Sequence, residues 1–285
     1  MSEALVLCRF VHFSAVLMLF GAWLFRPLLL KAPVPTLDRH LARLARWLTA
    51  IALVSGVTWA LLITASMAGS AAAAFDPDTI GLVLGNTFFG QVWRWHLLIN
   101  ALLLALLFTP WRSSLPLRLG LSALLLATLA PVGHGAMLDG LSGQLLILNQ
   151  IVHLTCVAAW LGGLLLLVLI LRQPGETMSR ILQRFSGVGY AIVGGLLITG
   201  LINVRVLTGQ WWPTPLFSGF ALILLIKALL VLGMLAPALF NRLRIEDCEQ
   251  RMDALKRSVL LEWLLGMGAV AAVSLLGTLP PMIAV

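Results

Sequence analysis

Two imidazoles sit in nearly the same apolar surroundings 141 residues apart: Val11-His12-Phe13 with Gly21 nine residues after His12, and Val152-His153-Leu154 with Gly162 nine after His153. An imidazole inside an apolar helix must be hydrogen-bonded, hydrated or bound to a ligand, because hydrocarbon offers its nitrogens nothing. Sulfur accompanies both rings. Cys8 lies four residues before His12 and Cys156 three after His153, so each thiol shares a helix face with its imidazole. His96 and His134 complete the candidate set, with Met137 beside His134 and Met67 as further thioethers. Imidazole together with thiolate or thioether suits copper, Cu(I) in particular, better than calcium or magnesium. The alternative role for each histidine is a structural hydrogen bond between helices, and for each cysteine a small buried hydrophobe.

The elements that hold these groups follow from composition. Hydrophobic residues make up 60% of the chain and charged residues 11%, with a mean hydropathy of +1.02, far from the roughly one quarter charged residues of a soluble domain. The expected fold is therefore an all-α polytopic membrane protein. Its apolar runs are continuous and long rather than alternating over about ten residues, which favours helices over a barrel. Eight spans are expected, over residues 4–30, 43–69, 91–110, 116–133, 145–171, 185–208, 216–240 and 256–279. The first run lacks a basic leading segment and contains Arg9 and His12, so it reads as a retained span rather than a signal peptide. Of the 19 Lys and Arg residues, 15 fall in or beside the connections after spans one, three, five and seven. By the positive-inside rule those connections are cytoplasmic and both termini periplasmic. The net charge of +8 is then a signal of topology, and no nucleic-acid partner is expected. Three cysteines without paired spacing make no disulfide scaffold, and Cys248 reads as a reduced cytoplasmic thiol.

On this topology His12 and His153 lie roughly 13 Å below the outer surface, at 1.5 Å per residue. His96 and His134 are nearer that surface, and His40 is cytoplasmic. The landmarks repeat: Leu97–Leu103 resembles Leu224–Leu230, with Thr87 and Thr214 ten residues ahead of each. The expected organisation is a single membrane domain over 1–285, made of two parallel four-helix repeats at about 1–135 and 136–285, with His12 and His153 facing each other across their interface. Lys227, near the middle of span seven, is either a counter-charge or a lysine satisfied by carbonyls. Trp93, Trp95, Trp211 and Trp212 read as an interfacial belt rather than a ligand cage. Gly162-Gly163 and Gly194-Gly195 are expected to allow close helix approach. No GxxxxGK[ST] loop is present, so ATP-driven pumping is not expected, and the chain reads as a carrier rather than an enzyme.

Six segments carry a resemblance over nearly the whole chain: RFVHFSAVLMLFGAWLFRPL, TFFGQVW, GHGAM, VHLTCVAAWLGGLLLL, RFSGVGYAIVGGLLITGLIN and TPLFSGFALILLIKALLVLGMLAPALFNRLR. With them the sequence resembles the copper-resistance D (CopD) family of bacterial inner-membrane proteins. The resemblance implies transport of copper across or into the cytoplasmic membrane, alongside a small periplasmic copper-binding protein of the CopC type. It maps a metal role onto His12, His134 and His153, while His96, Cys8 and Cys156 rest on spacing alone. The competing reading is a b-type cytochrome, with His12 and His153 as axial ligands of haem b.

Overall fold

The computed structural model describes residues 2–132, 138–172, 178–217 and 219–279, and among them the secondary structure is helical throughout, with no strand. Nine α-helices follow in order: α1 (Ser2–Leu29), α2 (Pro35–Ala68), α3 (Pro77–Asn86), α4 (Phe88–Leu106), α5 (Leu115–Ala127), α6 (Gly140–Ile170), α7 (Met178–Thr208), α8 (Gly219–Leu243) and α9 (Met252–Leu276). Six of them, α1, α2, α6, α7, α8 and α9, are long and apolar enough to cross a membrane. The protein is thus a helical, polytopic membrane protein. The remaining two expected spans fall on α4, whose 19 residues include Gln91, Arg94, His96 and Asn100, and on α5, which has 13.

Local chemistry sets several boundaries. Pro35 occupies the first turn of α2, where its missing N–H costs nothing. Gly69 ends that helix at φ 67°, in the left-handed region that glycine tolerates best. Thr87 caps α4 by accepting the Gly90 N–H at 2.9 Å. The short helix α3 was not expected, since residues 77–86 read as connection. Asp76 starts it by accepting the Thr79 N–H at 3.0 Å as well as the Thr79 hydroxyl, with Pro77 next in its first turn.

The two longest mutual faces belong to α1 with α6 and α8 with α9. Helices α1 and α6 cross at the two glycines that follow the paired histidines. A Cβ added to Gly21 would collide with the Ala158 carbonyl and lie 2.8 Å from the Gly162 Cα, and one added to Gly162 would lie 2.5 Å from the Gly21 Cα. Gly163 is also closely covered, by Phe25 and Phe185, and Gly195 by the Cys156 Sγ, whereas Gly194 faces open space, so one of the four expected close approaches is missing. Around this crossing α2 and α5 pack on α1, α4 on α2 and α5, α7 on α6, and α9 on both central helices.

One end of the bundle collects basic residues. Arg26 forks onto Asp38, with Nε to Oδ1 at 2.7 Å and Nη2 to Oδ2 at 3.0 Å, and its Nη1 donates to the Leu30 carbonyl at 2.9 Å. Arg184 of α7 donates to the Leu29 carbonyl at 2.6 Å, and Arg46 lies over the Phe108 ring. The C-terminal ends of α1 and α4 and the starts of α2 and α7 therefore share that end. Cys248 is buried nearby, in the α8–α9 connection, and burial raises its thiol above the ordinary value.

Candidate metal centre

Helix α4 presents Trp93, His96, Asn100 and Leu103 along one stripe, three or four residues apart, and all four are buried. This stripe meets His12 of α1. His12 and His96 are both 0% exposed, and their Nε2 atoms are 2.9 Å apart. Behind His12, Nδ1 lies 3.0 Å from the Ser55 Oγ of α2; behind His96, Nδ1 lies 2.7 Å from the Thr128 Oγ1 at the end of α5. Each hydroxyl also donates to a helix carbonyl, Ser55 to Ile51 at 2.6 Å and Thr128 to Leu125 at 2.7 Å. A continuous polar line thus crosses four helices inside an otherwise apolar core.

Aromatic rings wall the line. Trp93 stacks on His96 with centroids 4.5 Å apart and planes within 11°, and its indole N–H donates to the Gly56 carbonyl at 2.8 Å. Trp59 meets His12 edge-on at 5.6 Å. The place of Trp93 corrects the expected interfacial belt: it is fully buried against the two imidazoles, while Trp95 and Trp211 are exposed. The physical reason is helical phase, since Trp93 shares the inward stripe with His96 and Asn100 and Trp95 points away from it. Cys8 is buried and donates its thiol to the Ser55 carbonyl at 3.1 Å. Arg9, also buried, lies over Trp59 at 5.0 Å. One turn deeper, the Asn100 amide, oriented to suit its neighbours, donates to the Thr49 carbonyl at 3.2 Å and accepts the Leu53 N–H at 2.9 Å.

His153 stands in a second cluster, between α6 and α7. Its Nδ1 is 2.8 Å from the Thr199 Oγ1, whose hydroxyl donates to the Gly195 carbonyl. Asn149 donates to Asn203 at 2.9 Å and to the Thr199 carbonyl at 3.2 Å, and Asn203 donates to Gln150 at 2.9 Å. Cys156, half-buried, rests against Gly195, and half-buried Lys227 is the charged neighbour of His153. Among the described residues, no hydrogen bond or ring contact joins His12 to His153, and no three His, Cys, Asp or Glu side chains converge on one point. His134 and Met137 lie outside the described residues. His40 is exposed, on α2.

Sequence reasoning missed Ser55, Thr128, Thr199 and the two wall tryptophans. A signal existed for two of these: a hydroxyl followed by glycine, Ser55-Gly56 and Thr199-Gly200, 43 and 46 residues after the respective histidines. Both glycines flank a ring, since a Cβ at Gly56 would lie 3.3 Å from the His12 Cε1 and one at Gly200 3.7 Å from the His153 Cε1.

Residues 1–144 match the family model described as copper resistance protein D-like, N-terminal domain, and residues 179–276 the one described as copper resistance protein D. The chain is 30% identical over 287 residues to inner membrane protein YebZ of Escherichia coli (strain K12), covering 96% of this chain and 97% of that protein. It is 27% identical over 300 residues to copper resistance protein D of Pseudomonas syringae pv. tomato, covering 96% and 95%. With copper transport protein CutJ of Bacillus subtilis (strain 168) it shares 28% identity over 236 residues, 76% of this chain but 41% of CutJ. No solved structure matches the chain.

Proposed function

Because the chain belongs to the copper resistance protein D family, we propose that it accepts copper on the periplasmic side of a bacterial cytoplasmic membrane and passes it inward. The observation that carries this reading is the His12–His96 pair: two fully buried imidazoles with their nitrogens in contact, and a thiol one turn away on α1. Burying two such rings costs free energy unless they are fully engaged, and copper is a cargo whose ligand chemistry they match.

The arrangement proposed is eight spans in two parallel four-helix repeats, α1, α2, α4 and α5 followed by α6 to α9, with both termini periplasmic. Support comes from the α1–α6 crossing at Gly21 and Gly162, which occupy matching positions. Further support comes from the repeated unit of imidazole, hydroxyl and glycine: His12 with Ser55-Gly56, His153 with Thr199-Gly200. The shared basic end is then cytoplasmic. His153, Cys156 and His134 belong to the same proposed route, Cu(I) is the form carried, a CopC-like protein delivers it, and the chain acts as a carrier, not an enzyme.

Copper content of cells expressing the chain, at matched membrane levels, tests the reading. His12→Ala and His96→Ala are each expected to abolish the copper-dependent change, with the double variant no worse than either single one, since residues acting as a unit are not additive. Unchanged copper content in both single variants overturns it. A stoichiometric Soret band in the purified protein that vanishes in His12→Ala establishes the haem b reading instead.

A further inference from the structure

We propose that His12 and His96 form a two-coordinate site for a monovalent soft cation, Cu(I) with Ag(I) as its analogue, held in line between the two Nε2 atoms. This rests on the copper reading above and deepens it by naming the geometry and the ligating atoms.

Proton bookkeeping leads there. The line from the Ile51 carbonyl through Ser55, His12, His96 and Thr128 to the Leu125 carbonyl contains five links. Each link needs one hydrogen. The carbonyls bring none, while two hydroxyls and two neutral imidazoles bring one each, so four hydrogens face five links. With both hydroxyls committed to their carbonyls, both Nδ1 atoms must carry the ring hydrogens. Two Nε2 lone pairs then point at each other across 2.9 Å, an arrangement that a cation between them relieves. Without metal, one hydroxyl turns from its carbonyl to its imidazole, and four hydrogens serve four links. On binding, two metal–nitrogen bonds form, one ring hydrogen moves from Nε2 to Nδ1, and the hydroxyl returns to its carbonyl. No hydrogen leaves the site and no electron is transferred.

The surroundings select the valence. Two neutral donors face each other, whereas zinc takes four in a tetrahedron and Cu(II) or Ni(II) prefers a tetragonal set. Among the described residues no carboxylate bonds either ring, and the charged group near His12 on α1 is Arg9, itself positive and over Trp59. A dication here is uncompensated in an apolar core. A soft monocation carries half that charge, and the face of Trp93, stacked on His96, lines the site. The rings must part to about 4 Å, at about 2 Å per metal–nitrogen bond, and Gly56 leaves one flank of His12 free of side chain.

The test uses the full chain, purified in detergent under reducing conditions. X-ray absorption of the protein loaded with Cu(I) should show two nitrogen neighbours in line. Titration with Ag(I) should find this site lost in His96→Gln and kept in His40→Gln, with no hydrogen ion released per Ag(I) bound. Thr128→Val, which keeps both ligands but frees the His96 Nδ1, should weaken Ag(I) binding on the order of tenfold, so the proposal does not hang on a variant that fails to fold. Three or more copper neighbours, equal binding of Zn(II), or undiminished Ag(I) binding in folded His96→Gln overturns it. Copper accumulation that depends on His12 while the purified protein shows no two-nitrogen Cu(I) site removes this inference and leaves the copper reading standing. A two-nitrogen site in a chain whose histidine variants handle copper normally does the reverse.

Discussion

At the scale of the residue, the histidines were legible because an imidazole in an apolar run is conspicuous, and their partners were not, because serine, threonine and glycine are ordinary in membrane helices. Ser55 bonds its own Ile51 carbonyl, a habit of hydroxyls in any helix, so nothing in its type announces that it also meets His12. Trp93 was misplaced for a related reason. A tryptophan near a span's end reads as a membrane-interface anchor until helical phase is weighed, and the phase set by His96 and Asn100 turns it inward. Gly56 offers a direct test of how closely the site is packed. A methyl there would lie 3.1 Å from the Leu97 Cδ2 and 3.3 Å from the His12 Cε1, tighter than a relaxed contact, so both neighbours must give way. Gly56→Ala is expected to cost about 1–3 kcal/mol through overpacking, seen as a lowered Tm of the purified protein. An unchanged Tm shows that the His12 ring has slack.

At the scale of the element, hydropathy located the long helices, yet it could not foresee α3, whose ten residues depend on a cap rather than on an apolar run. The Thr79 hydroxyl and N–H on Asp76 hold its carboxyl below the usual carboxylate range. A group whose pKa is depressed on folding contributes fully above its ordinary value and loses that contribution as pH falls through the folded value. Hydrogen exchange of the α3 amides, corrected for intrinsic rates, should therefore be flat from neutral pH down to the ordinary aspartate value of 3.8 and rise only below it. In Asp76→Asn, which caps well without titrating, that rise should disappear. The α1–α6 crossing makes the opposite kind of demand, steric rather than electrostatic. A side chain at Gly162 meets the backbone of α1 at Gly21 and Ala22, and backbone cannot rotate aside as a side chain can. Gly162→Val should separate the two helices and sharply reduce folded protein recovered from membranes. The same change at Gly194, which faces open space, should be tolerated.

At the scale of the whole molecule, the repeated sequence landmarks misled on how the histidines are engaged. Symmetry suggested that His12 and His153 meet across the axis. The structure gives His12 a partner from α4 and His153 a partner from α7, and what meets at the crossing is the pair of glycines that lets α1 and α6 touch. The two matching sequence segments also differ. The Leu97–Leu103 and Leu224–Leu230 match aligns His96 with Ile223 and Asn100 with Lys227, so the second segment has no imidazole at that position and carries Lys227 beside His153 instead. Which end of the bundle faces the cytosol decides whether the His12–His96 line is reached from outside, and the distribution of charge bears on it. Four basic residues, Arg9, Arg94, Arg205 and Lys227, lie apart from the basic end, against 15 of the 19 at or beside it. That imbalance favours a cytoplasmic basic end. In a background with Cys8, Cys156 and Cys248 replaced by serine, a cysteine at Asp78 or Asp139 should react with a membrane-impermeant maleimide added to intact spheroplasts. A cysteine at Arg112 or Arg180 should react only after the membrane is opened. The reverse pattern would put the His12–His96 line in the cytoplasmic half of the bilayer and overturn its role as the periplasmic entry site.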